Sequence, residues 1–197
     1  MAAFFDQDVL TVLTNAWPVS LDSVSLFDRS FAGRVTQADL DTWRAVMRPN
    51  GDPNWLIFGT GYRKDLADRA QVIAVHQGDA PDQAAMGGFF LGESQRTALT
   101  AETVTMFLTS PNWALVRPMS TIVYAILAAA VPTFREIGYE RIEYQGTTAL
   151  VQEAAWLPEN VLAMSQTWRA VSLAVAPTTA DNTQHPIVVN RTTLITP

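Results

Sequence analysis

Apolar positions along this chain change their spacing several times, and each change marks a different element. Between Gln7 and Trp17, Val9, Leu10, Leu13 and Ala16 or Trp17 recur at helical spacing, so the pattern predicts a short amphipathic helix that Pro18 ends. From Leu21 to Val35 the pattern is irregular, with "SVSLF" reading as a strand. Thr36 then offers an N-cap with Asp39 three residues on, a capping-box arrangement, and Pro49, Asn50, Gly51 and Pro53 close that helix in a turn-rich loop.

The middle of the chain shifts towards β periodicity. "NWLIFGTGY" and "AQVIAVHQG" are short apolar runs rich in β-branched and aromatic residues, bounded by glycine and charge. "GDAPDQAAMGG" has loop composition, "GFFLGES" follows it as a strand, and in "ETVTMFLTS" Val104, Met106 and Leu108 alternate with Thr103, Thr105 and Phe107. That alternation predicts a half-buried strand.

The longest apolar stretch comes next. Ser110 and Pro111 read as a helix start, and Pro118 as a kink or a restart. Met119, Ile122, Val123, Ile126, Leu127, Ala130, Phe134 and Ile137 form a wide stripe suited to packing on a sheet, and Gly138 is placed to stop it. A membrane span needs about 18 or more uninterrupted apolar residues, and Pro118, Pro132, Arg135 and Glu136 interrupt this one too soon. "YERIEYQG" alternates as a strand with one wet face, "TTALVQEAAWLPEN" is turn-like, and "VLAMSQTWRAVSLAVAP" closes the sheet.

The elements together predict an α+β fold: a mainly antiparallel sheet packed by one long helix, with additional short helices. A single domain over 1–176 would carry an inserted helical segment near 21–53, followed by an extended C-terminal arm over 177–197. Within that arm "IVVNRTTLITP" is β-prone and too short to make a core, so Ile187, Val188 and Val189 want a partner.

Composition narrows the function classes. Of the 197 residues 48% are hydrophobic and only 16% charged, low for a chain that keeps its whole surface wet, which suggests protein-covered surface. The net charge of −6 provides no broad field for nucleic-acid phosphates. With no cysteine there is no disulfide, thiolate metal site or thiol nucleophile. "MAAFFDQDVLTVL" lacks a basic n-region, so no cleaved secretion signal is expected there.

Candidate chemistry is sparse. His76 and Asp79, or Asp82, read as a base and its orienter at a strand end, the basis of an alternative reading as a small enzyme or ligand-binding domain; the competing reading is a solvated histidine. The other histidine, His185, sits in the arm, so a two-histidine metal site would need the arm to fold back. "GTGYRK" lacks the full phosphate-loop spacing and reads as a hairpin turn, and "GGFFLGES" lacks a nucleophile elbow. Glu136, Glu140 and Glu143 alternate with Arg135 and Arg141, a compensated surface rather than paired catalytic carboxylates. Asn190-Arg191-Thr192 matches a glycosylation sequon with no other sign of secretion. Among six tryptophans, Trp113 and Trp156 fall in loop-like contexts, where aromatic residues anchor interfaces.

From residue 70 to 176 the succession of a strand ending "HQG", then "ETVTMFLTSPNWALVRPM", "STIVYAILAAAVPTFREIG" and "YERIEYQGTTALVQEAAWLPENVLAMSQTWRAVSLAVAP" resembles the tail terminator proteins of tailed bacteriophages. The likeness rests on element order and texture over roughly half the chain. It implies a small α+β subunit that assembles as a homo-oligomeric ring, commonly a hexamer, capping the head-proximal end of the tail tube. The implied partners are tail tube and neck or sheath proteins, with DNA passing through without specific binding and no membrane contact. The implied location is the virion, after assembly in the bacterial host cytoplasm. No catalytic residue, cofactor or metal is implied, and the expected interface residues are Trp113, Trp156, Ile187, Val188 and Val189. The segment 21–53 and the arm depart from the compact form of that family, which widens the expectation to other neck rings.

Overall fold

The computed structural model describes residues 4–21, 26–48, 55–81, 89–90, 95–148, 157–158 and 161–177. Helix α1 (Phe5–Ser20) presents Phe5, Val9, Leu13 and Trp17 along one line, and all four are fully buried. Residues four apart on a helix share a face, so this line is the helix's core stripe. Pro18 does not end the helix as the sequence suggests. In the last turn its missing N–H removes one bond only, and Ser20 Oγ donates to Trp17 O at 2.8 Å just beyond it.

Of "SVSLF", expected as a strand, Leu26 and Phe27 are described, and they open helix α2 (Leu26–Phe31) instead. Phe27 and Phe31 fall at i and i+4, stack edge-to-face at 5.3 Å and are both buried, a pairing that only the helix provides. Helix α3 (Gln37–Met47) starts with the expected capping box: Asp39 N–H donates to Thr36 Oγ1 at 3.2 Å and Thr36 N–H to Asp39 Oδ2 at 3.3 Å. Arg44 then ties three elements together. Its Nε donates to Leu21 O at 2.8 Å, Nη2 to Asp28 at 2.6 Å and Nη1 to Asp41 at 2.9 Å, and its guanidinium lies 5.2 Å from the Phe27 ring centroid.

Six strands follow: β1 (Ile57–Gly59), β2 (Gln71–Pro81), β3 (Phe89–Phe90), β4 (Gln95–Ser110), β5 (Tyr139–Thr147) and β6 (Leu162–Pro177). The sheet order is β1-β2-β4-β6-β5, with β3 beside β4. Only β1 and β2 run parallel; the other pairs are antiparallel. The fold is α+β, the class the hydrophobic pattern predicts.

Between β4 and β5 run helices α4 (Trp113–Ala129) and α5 (Val131–Glu136). The cap of α4 is Asn112, whose Oδ1 accepts from Ala114 N–H at 3.1 Å, whereas Ser110, the expected cap, still belongs to β4. Pro118 stays inside the helix. The stripe read as one helix breaks at Ala130 because Pro132, in the first turn of α5, has no N–H to continue the ladder. Gly138, with φ of 108°, ends α5, a conformation that glycine adopts without strain.

Core and strand residues have a simple phase. Val72, Ala74, Val104, Met106, Leu108, Trp168 and Ala170 join the buried residues of all five helices in one cluster. The helical layer thus lies on one face of the sheet, with α1 sharing it alongside α4, and α2 and α3 packing onto α4. No described helix is long and apolar enough to cross a membrane.

Because Arg44 holds the end of α1, α2 and α3 at once while mostly shielded from water, Arg44→Ala is expected to lower stability by about 2 kcal/mol. Urea denaturation measures this, and an unchanged midpoint would show that the staple contributes nothing.

Candidate functional site

Strand β2 pairs with β4 residue for residue from Gln71 opposite Thr109 to His76 opposite Val104, then resumes at Gly78 opposite Thr103. The extra residue, Gln77, makes a β-bulge, and Gly78 takes φ of 132°, where a side chain would be strained. In a regular strand, positions three apart face opposite sides of the sheet. The bulge cancels that alternation, so His76 and Asp79 both point to the helical side, and His76 Nε2 lies 3.3 Å from Asp79 Oδ1.

Directly across from Asp79 stands Glu102 of β4. It is 2% exposed, and its Oε2 accepts the N–H of Phe5, the first residue of α1, at 3.0 Å. A carboxylate is favoured there because the first N–H groups of a helix lack partners within it and carry positive partial charge. Ligand atoms of His76, Asp79 and Glu102 all lie within 4.8 Å of one another. The pair read from sequence is therefore a trio. Glu102 was missed, although its phase with Val104, Met106 and Leu108 already placed a carboxylate on the buried face.

The same helix end is held from the other side by Tyr139 of β5. Its hydroxyl donates to Asp8 Oδ2 at 2.7 Å, and its ring packs 5.2 Å from Phe5 and 6.1 Å from Phe134. Burial, then the hydrogen bond and charge of Asp8, with a further contribution from Asp6, push the Tyr139 hydroxyl far above the usual tyrosine range.

Other sequence candidates land as follows. Glu143 pairs with Arg141 at 2.9 Å and Arg169 at 3.3 Å, the compensated surface expected of it. Residues Gly59 to Lys64 lead from β1 into a short 3-10 turn, where Arg63 chelates Asp65 through bonds of 3.0 and 2.7 Å. Trp113 opens α4, with its side chain outside the described residues. Asp82, Trp156, His185, Ile187, Val188, Val189 and the sequon at Asn190 also lie outside them.

Two further surfaces stand out. An apolar groove of about 620 Å³ runs between α1, α2, α4 and α5, lined by Val12, Ala16, Val19, Leu26, Ile126 and Ala129. On the sheet face opposite the helices, Val75, Thr103, Thr105, Phe107, Thr167 and Arg169 are half-buried. The hydroxyls of Thr105 and Thr167 meet across the strands at 3.2 Å.

The sequence matches no protein-family model, and no curated protein is significantly similar to it.

A buried neutral phenol has a pH consequence. Unfolded, Tyr139 ionises near pH 10, whereas in the fold it keeps its proton, so its contribution is complete below about pH 10 and lost as pH rises above that value. Tyr139→Phe removes the titrating group. The stability gap between wild type and this variant should hold up to about pH 10 and shrink above it in urea melts; a gap independent of pH would refute the assignment.

Proposed function

We propose that this chain is a non-enzymatic structural subunit of a tailed-phage virion, a tail terminator or neck protein that forms a ring on the head-proximal end of the tail tube. One observation carries the reading beyond the likeness in element order. The sheet bears helices on one face, while the other presents a threonine-rich, half-buried strip centred on Thr105 and Thr167. Threonine hydroxyl and methyl surface is cheap to desolvate, and Arg169 beside it already pairs with Glu143, which suits burial against another protein.

The edge strand β5 is less suited to open-ended pairing. Bulges at Glu140 and Gln145 interrupt its register, and Glu140, Arg141 and Glu143 line it. Such an edge discourages indiscriminate strand addition, so a closed assembly would form through the threonine face and the arm over 177–197. The mechanism is geometric: repeating one heterologous contact around an axis closes a ring, and one face of that ring complements the last ring of the tube and stops its growth. The net charge of −6 supports a channel that lets DNA slide without holding it.

Native mass spectrometry and negative-stain imaging should show closed rings, alone or after addition of tube protein. Thr105→Arg should leave a folded monomer that no longer closes. A wild-type chain that stays monomeric with tube and neck proteins present would overturn the reading. Purified rings should also bind duplex DNA weakly at physiological salt, and tight, salt-sensitive binding in a filter or anisotropy assay would contradict the channel electrostatics.

A further inference from the structure

We propose that His76, Asp79 and Glu102 form a binding site for one divalent first-row transition ion, seated between the β2 bulge and the first turn of α1. The inference does not depend on the virion reading.

Geometry supports it first. Donor atoms held at roughly 2.0–2.2 Å from one ion lie roughly 3.0 to 4.3 Å apart, depending on whether they are adjacent or opposite. His76 Nε2 and Asp79 Oδ1 stand 3.3 Å apart, already a ligand–ligand spacing, and the whole set falls within 4.8 Å, so side-chain rotations that move a donor atom by up to about 1.5 Å close the site. Register and bulge have already brought the three residues to one face.

Orientation supports it second. Glu102 is fixed by the Phe5 N–H on its Oε2, the kind of outer hydrogen bond that aims a metal-ligating carboxylate. His76 and Asp79 are partly exposed, at 34% and 56% of their side chains, leaving a path for the ion and room for water to complete its coordination. The bulge supplies the register for this trio. If all four residues from His76 to Asp79 were paired in regular register with no bulge, Asp79 would turn to the other face of the sheet.

The donor set selects the ion class. One imidazole nitrogen with two carboxylates suits Zn²⁺, Mn²⁺ or Fe²⁺, whereas Mg²⁺ and Ca²⁺ prefer oxygen alone. Bound there, the ion would link β2 and β4 to the start of α1, joining sheet and helical layer at one point.

Titration of the untagged full-length chain with ZnCl₂ by calorimetry tests this, with Co²⁺ absorption as a spectroscopic readout of the imidazole and carboxylate ligands. One equivalent of Zn²⁺ should bind and raise the melting temperature. His76→Ala and Asp79→Asn should each weaken binding by at least about tenfold and remove that thermal shift. His185→Ala, which deletes the chain's only other histidine, should change neither. Equal Zn²⁺ affinity in wild type and His76→Ala would overturn the site, as would loss of binding in His185→Ala. Mg²⁺ binding as tight as Zn²⁺ would overturn the ion class.

Discussion

The fold depends on the pairing of β4 with β6. These strands run antiparallel from Ser110 opposite Leu162 to Gln95 opposite Pro177 without a register shift. Everything else attaches to that ribbon: β2 and β3 along one side, β5 along the other, and α4 across it through Gln166, whose Nε2 donates to Ser120 O and Oγ at 2.6 Å. An unshifted register fixes which residues face the helices, since a slip by one residue would turn Met106 and Trp168 outward and Thr105 and Thr167 inward. The adjoining strands take up their irregularities in bulges of their own, in β2 at Gln77 and in β5 at Glu140 and Gln145. Local curvature therefore accumulates at the flanks while the centre stays regular.

Helix α1 meets this frame at its first turn. A buried carboxylate is costly unless it is hydrogen-bonded, and the start of a helix has N–H groups that need acceptors. Glu102 and Phe5 meet both needs with one contact, while Tyr139 and Asp8 form a second contact on the same turn. They link residues 97 and 131 positions apart, so the helix end is defined only when these strands of the sheet are in place. Specificity here comes from polar groups placed at the boundary of an otherwise apolar core.

Long, single-period segments were legible in the sequence. Alternation at Val104, Met106 and Leu108 revealed β4, the stripe from Met119 to Phe134 revealed the helices over the sheet, and Thr36 with Asp39 marked the start of α3. Proline and short runs misled for identifiable reasons. Pro18 is tolerated in a last turn, Pro132 splits a stripe whose periodicity continues across the break, and Leu26 and Phe27 at the end of "SVSLF" are too short a run to distinguish a strand from the helix that pairs Phe27 with Phe31. Of the site, His76 and Asp79 were visible as neighbours in sequence. Glu102 was not, because its place opposite them follows from strand register and from a bulge at Gly78 that spacing alone does not announce.

The central ribbon also outruns its flanks. Pairing with β2 stops at Thr100 and pairing with β5 at Ser172, yet β4 and β6 continue for five more rungs, roughly 16 Å, where β3 is the one further strand paired among the described residues. A two-stranded extension is stiff along its strands and more compliant across them. Strand β6 ends at Pro177, on the last rung of that extension. Bending there would move Pro177 relative to the rungs that carry Val104, Met106 and Trp168, which are packed in the core.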